Sequence, residues 1–176
     1  MADHQPDRDF VDFVSGRVLW LRRIAYLLCQ DWHHADDLAQ TALTRLYAAW
    51  PKARTADSPE AYLRTILVNA YINETRRPLW KRLVATDAGT LVDLADLVGR
   101  RTGADAAPDS DALLDLRAAL AELPPRQRAA VVLRYYCDLS VEQTAAELRC
   151  SPGTVKSQTA RGLATLRRIL EMQPSA

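Results

Sequence analysis

The chain predicts an all-α protein of two small helical domains joined by a flexible acidic linker, the second domain containing a helix-turn-helix. Three observations predict it. Apolar residues recur at three- and four-residue steps over both ends of the 176 residues, and no Val/Ile/Thr alternation sits between Asn-Gly or Gly-Gly turns. From about Ala85 to Asp109 the periodicity stops while Gly89, Gly99, Gly103 and Pro108 enter. The domains are therefore read as residues 8–82 and 111–172, with 83–110 as a tether holding at most a short helix near Leu91 to Val98.

In the first domain Phe10, Phe13, Val14, Val18, Leu21, Ile24, Ala25 and Leu28 form one apolar stripe, ended by a turn at Gln30-Asp31. A second stripe runs Leu38, Ala42, Leu46, Ala49 and Trp50, with Asp31, Asp36 and Asp37 favouring the positive end of its helix. Pro51 to Asp57 reads as a loop. Ser58-Pro59-Glu60 then supplies an N-cap, a first-turn proline and an acid for a third helix, which packs Tyr62, Leu63, Ile66, Leu67, Ala70 and Ile72 and frays at Arg76-Arg77-Pro78. Trp20 and Trp50 are assigned to packing, and Tyr71 and Trp80 to core before base stacking.

Helical spacing resumes at Leu113, Leu116, Leu120 and Leu123, stops at Pro124-Pro125, and continues from Arg126 through Val131, Val132, Tyr135 and Tyr136. Ser140 with Gln143 three residues on forms a capping box for one helix, and Ser151 with Pro152 starts the next. Arg149-Cys150 is left as the short turn between them, so the helices cross steeply, as a DNA reader requires. On the second helix Val155, Thr159, Leu163, Leu166 and Leu170 face inward. Thr154, Lys156, Ser157, Ala160 and Arg161 lie at its N-terminal end, where a helix in the major groove meets base edges.

The net charge of +1 hides an uneven distribution. Residues 58–84 carry five basic side chains, Arg64 among them, against two acidic, net +3; residues 149–176 carry five against one, net +4. Residues 85–115 carry seven aspartates against Arg100 and Arg101, net −5, so the middle avoids the DNA that both ends seek. No apolar run is long enough to span a membrane and the N-terminus lacks the blocks of a signal peptide, so the protein is expected in the cytoplasm. Cys29, Cys137 and Cys150 have neither disulfide nor zinc spacing and read as buried free thiols. His33-His34-Ala35-Asp36-Asp37 superficially resembles a metal phosphohydrolase dyad, but further ligands are wanting and the only other histidine is His4. No catalytic residue, metal or cofactor is assigned.

Four segments occur together in one order: Ala35-Asp36-Asp37-Leu38-Ala39-Gln40-Thr41-Ala42-Leu43, Pro59-Glu60-Ala61-Tyr62-Leu63-Arg64-Thr65-Ile66-Leu67-Val68-Asn69, Leu123-Pro124-Pro125-Arg126-Gln127-Arg128 and Gly153-Thr154-Val155-Lys156-Ser157-Gln158. In them the chain resembles the extracytoplasmic-function sigma factors of bacterial RNA polymerase, most closely their actinobacterial SigE-like branch. The resemblance implies core RNA polymerase and promoter DNA as partners, the first domain reading and melting the −10 element and the second reading the −35 element. It places Asp37, Gln40, Thr41 and Thr44 on the polymerase-docking face, and Lys52, Arg54, Asn69, Asn73, Arg76 and Arg77 along the −10 strand. Ala160 departs from the family, whose members often have a larger reading residue there. An anti-sigma protein is a frequent further partner in the family, and a monomer is expected when free. The alternative, a helix-turn-helix regulator acting without polymerase, would need a dimer, and no heptad is present.

Overall fold

A computed structural model describes residues 5–76 and 111–172. The expected tether, the short helix within it, Arg77 and Trp80 lie outside the described residues. The first segment forms α1 (Gln5–Ser15), α2 (Val18–Cys29), α3 (Trp32–Ala53) and α4 (Pro59–Thr75). The second forms α5 (Asp111–Ala121), α6 (Pro125–Val131) running into a π-helical turn (Val132–Tyr136), α7 (Val141–Leu148) and α8 (Pro152–Met172). No strand occurs among the described residues.

The stripe expected to be continuous from Phe10 to Leu28 is broken at Gly16-Arg17. Glycine weakens a helix interior, and here the Arg17 N–H closes a turn onto the Val14 carbonyl while its guanidinium donates to Phe13 O and Glu60. The break leaves Val18 exposed, contrary to its expected inward place, and lays α1 on α3. There Phe10 meets the rings of Tyr47 and Trp50 edge-on at 5.0 and 5.3 Å.

Asp31 caps α3 by accepting the His34 N–H at 2.6 Å. The hairpin of α2 and α3 is tied by Arg22, which donates to both oxygens of Asp36 at 2.5 and 3.1 Å, and by Tyr26 stacked on Trp32 at 4.0 Å. The loop expected from Pro51 begins three residues later, because α3 runs to Ala53 with Pro51 in its last turn. Proline there removes one N–H donor only; the Arg54 N–H still reaches Trp50 O at 2.9 Å, and wholly buried Ala53 holds the turn against the core. Ser58 caps α4 through the Ala61 N–H at 3.1 Å.

In the second segment α8 packs on α5, α6 and α7. Val155, Thr159 and Leu166 are buried and Leu163 half-buried as expected, whereas Leu170 is 38% exposed near the end of a 21-residue helix. Tyr135 and Tyr136, expected to continue the apolar repeat, also face outward: the π turn takes one residue more per hydrogen bond than an α-helix and shifts the register. One core crosses both segments. Leu21, Leu28, Leu38, Leu46, Leu63 and Leu67 pack in the same cluster as Ala129, Ala130, Val132, Leu133, Leu139 and Leu148.

Candidate nucleic-acid interface

The helix-turn-helix is built by two caps and a turn. The Ser140 side chain accepts the Gln143 N–H at 3.0 Å and the Gln143 carboxamide accepts the Ser140 N–H at 2.8 Å, satisfying two otherwise free donors at the start of α7. Arg149 ends α7 at φ 52°, ψ 50°, a left-handed conformation that costs a non-glycine residue roughly 1–2 kcal/mol and makes the reversal abrupt. Ser151 Oγ then accepts the Thr154 N–H at 3.1 Å and lies 2.9 Å from Thr154 Oγ1. Thr154 is thus half-buried and engaged with the cap, while Lys156, Ser157, Ala160 and Arg161 form an exposed arc on the first three turns of α8.

The basic residues of the first segment do not converge on one point. Lys52 and Arg54 stand exposed beside the start of α4, with Arg54 3.7 Å from Asp9 of α1. Asn73 and Arg76 are exposed at the other end of α4, about 21 Å away along its axis. Asn69 lies between, half-buried, donating its carboxamide to Thr65 O at 2.8 Å. This spacing suits an extended strand better than a single pocket. On α3, Asp37, Gln40, Thr41 and Thr44 join Arg45 around one shallow concavity of about 430 Å³.

Comparison with known proteins decides the family. Residues 14–81 match Sigma-70 region 2, and residues 113–166 match Sigma-70, region 4. The RNA polymerase sigma-E factor of Streptomyces avermitilis is 38% identical over 165 residues, covering 93% of this chain and 86% of that protein. The ECF RNA polymerase sigma factor SigM of Mycobacterium tuberculosis is 31% identical over 150 residues, 85% and 71% of the two chains. The chain belongs to the extracytoplasmic-function sigma factors of RNA polymerase. Among solved structures, the sigma factor RpoE of Bartonella quintana, in complex with the anti-sigma factor NepR, superposes with a TM-score of 0.68 at 26% identity, over 94% of this chain and 99% of that one.

In this sigma factor two arginines serve a purpose that their sequence context did not announce. Arg64, counted with the basic patch, is buried and donates to both carboxylate oxygens of Glu147 on α7. Its one available signal was position: it shares the line Arg64, Val68, Tyr71, a second apolar stripe on α4 whose buried members face α6 and α7. Burial works against charge on both partners and raises the Glu147 carboxyl, while the forked hydrogen bonds and the opposite charge of Arg64 act the other way on Glu147 and raise the guanidinium. Arg128 reaches five acceptors: the carbonyls of Leu120, Ala121 and Leu123, and across the segments Leu28 O at 2.6 Å and the Tyr71 hydroxyl at 3.3 Å. Tyr71 is buried beneath this contact, in keeping with its assignment to the core. The three cysteines are free and half-buried. His34, from the dyad-like run, bonds Glu74 at 2.6 Å.

Proposed function

We propose that the sigma factor divides its work between residues 8–82, which dock on core polymerase and open the −10 element, and residues 111–172, which read the −35 element, with 83–110 linking them. The concavity bordered by Asp37, Gln40, Thr41 and Thr44 carries this reading. It gathers a carboxylate, an amide and two hydroxyls, with Arg45 beside them, on a polar helix face able to exchange hydrogen bonds with a protein partner.

Arg161 offers a bidentate contact to guanine, Lys156 a phosphate contact, Ser157 a hydroxyl to either, and Ala160 a surface for a thymine methyl; Thr154 holds the cap beneath them. Lys52 and Arg54 take the backbone of the displaced strand, while Asn69, Asn73 and Arg76 follow bases and phosphates along α4, with Arg77 next in sequence adding a further basic contact. The chain contributes binding energy and no chemistry of its own, since nucleotide addition belongs to the polymerase. No described helix is long and apolar enough to cross a membrane, which agrees with a site of action in the cytoplasm. The complex of the Bartonella relative with NepR supports an anti-sigma protein as a further partner of a chain that is monomeric when free.

Run-off transcription with purified core polymerase on a library of genomic fragments tests the assignment. New start sites that depend on the protein are expected. Specific DNA binding by the protein alone, with no new start sites, would replace it with a polymerase-independent regulator.

A further inference from the structure

The Arg64–Glu147 contact joins the two segments across 83 residues at a place that none of the proposed promoter contacts uses. Both side chains are under 10% exposed, and N–O distances of 2.7, 2.9 and 3.1 Å make a forked contact. Arg128 adds a second tie through Leu28 O and the Tyr71 hydroxyl. Its three remaining contacts stay at the end of α5. Separating the segments therefore costs Arg128 two acceptors of five, hands Arg64 and Glu147 to water, and exposes the apolar residues that the two segments bury against each other.

With the pair closed, the distance between the proposed −10 and −35 readers is bounded. Asn73 is about 14 Å along α4 from Arg64, and Arg161 about 14 Å along α8 from Pro152. The five steps from Glu147 to Pro152 add at most about 18 Å, and two extended side chains about 15 Å. Arg161 and Asn73 are thus no more than about 60 Å apart. Elements centred at −35 and −10 are about 25 base pairs apart, roughly 85 Å of duplex. A closed chain cannot occupy both.

We infer that the Arg64–Glu147 pair is a latch that holds the free sigma factor closed, and that core polymerase engages the unlatched chain. The inference rests on the proposed assignment of α4 and α8 to the two promoter elements. A buried ion pair suits such a switch because desolvation of each ion offsets most of the attraction, so the shared apolar core supplies the closing force while the loss of either partner strands a charge inside it. Removing one partner strands a buried charge and opens the chain; replacing both by apolar residues of similar size keeps it shut.

The test compares the full-length wild type with Glu147→Ala and with the double variant Arg64→Met/Glu147→Leu. Two readouts of shape are used: the radius of gyration by small-angle X-ray scattering, and the rate of alkylation of Cys137, which packs on the shared core and feels the charges of both Arg64 and Glu147. The wild type and the double variant should scatter near the compact value, about 16 Å for this length, with slow Cys137 labelling. Glu147→Ala should expand by about a third and label about tenfold faster. It should also bind core polymerase about tenfold more tightly if the wild type is nine-tenths closed. A wild type already expanded, or a fully helical Glu147→Ala as compact and unreactive as wild type, overturns the latch. Should Glu147→Ala lose helicity, Glu147→Gln, which keeps the shape and removes the charge, is read the same way. If the variants behave as expected but no start sites depend on the protein, the latch stands and the promoter assignment falls.

Discussion

A Cβ on Gly162 would come within 2.8 Å of Val131 Cγ2, so α8 and α6 approach at that point as closely as the absence of a side chain allows. The contact sits in the small cluster that Val131 and Leu166 form with Ala119, Leu120 and Leu123, and it sets how α8 is seated beneath its exposed arc of Lys156, Ser157, Ala160 and Arg161. Gly162→Ala gains up to about 1 kcal/mol of helix propensity but overpacks a filled interface, at about 1–3 kcal/mol. A net loss of about 1 kcal/mol is expected in urea unfolding, with most of it recovered when Val131→Ala is added. Equal stability of the single variant and the wild type would show that α8 can shift without loss.

Ser140→Ala removes the acceptor for the Gln143 N–H and half of the capping box at the start of α7. The expected cost is about 1 kcal/mol, seen as faster hydrogen exchange in the first turn of α7. Because Glu147 lies on the same short helix, the variant should also speed Cys137 labelling; faster exchange without faster labelling would uncouple α7 from closure.

His34 on α3 and Glu74 on α4 are bonded at 2.6 Å, and that hydrogen bond, outweighing burial, raises the imidazole above its ordinary pKa of about 6.5. A group raised on folding stabilises the fold fully below its unfolded pKa and loses that contribution as pH rises through the folded value. The thermal midpoint of the wild type should exceed that of His34→Ala at about pH 5.5, with the gap closing by about pH 9. Both side chains are half-exposed, so the effect should also shrink in high salt. A gap independent of pH would assign the loss to packing instead.

Burial pushes the Cys29 thiol up to about 12 and the Cys137 thiol to about 11; Cys150 is raised as well, also chiefly by burial. Alkylation needs the thiolate, so near pH 8 Cys29 should react last and Cys137 slowly, with Cys150 first. Mass spectrometry of partially labelled protein gives the order, and early labelling of Cys29 would mean that the end of α2 opens readily.

Arg161→Ala should cost roughly 1–3 kcal/mol at one upstream base pair and relax specificity there, whereas Lys52→Ala should weaken binding alike on all sequences and lower the salt dependence by about one ion. Polymerase holoenzyme on promoter variants separates the two. The same loss on specific and random DNA for Arg161→Ala would remove it from the readers.

The caps were legible because they are local. Ser58, Ser140 and Ser151 announce helix starts through their own chemistry, and each accepts the expected backbone N–H three residues on. Asp31, read only as a turn residue and an acid near a helix start, caps α3 in the same way, while Asp36 and Asp37 lie beyond its first turn. Likewise, the polar face from Asp37 to Thr44 follows from helical spacing alone. What a single pattern could not carry were effects of distant neighbours. Arg64 looks like any surface cation until Glu147 is beside it, Val18 looks apolar and inward until Gly16-Arg17 turns it out, and the extra residue of the π turn that exposes Tyr135 leaves no mark in composition. A line of buried positions that includes one charge, as in Arg64, Val68, Tyr71, is the readable trace of an unseen partner.

The 83-residue separation of Arg64 and Glu147 also has a meaning on the ribosome. At about 5–20 residues per second, the arginine is synthesised roughly 4–17 s before the carboxylate that will neutralise it, and the alanines and leucines that will cover the same side of α4 arrive in that interval too. The nascent N-terminal half must spend those seconds with that surface wet and uncovered. Codon choice between the two positions, which leaves every equilibrium property of the finished protein untouched, thus sets how long a sticky intermediate is displayed to the cell.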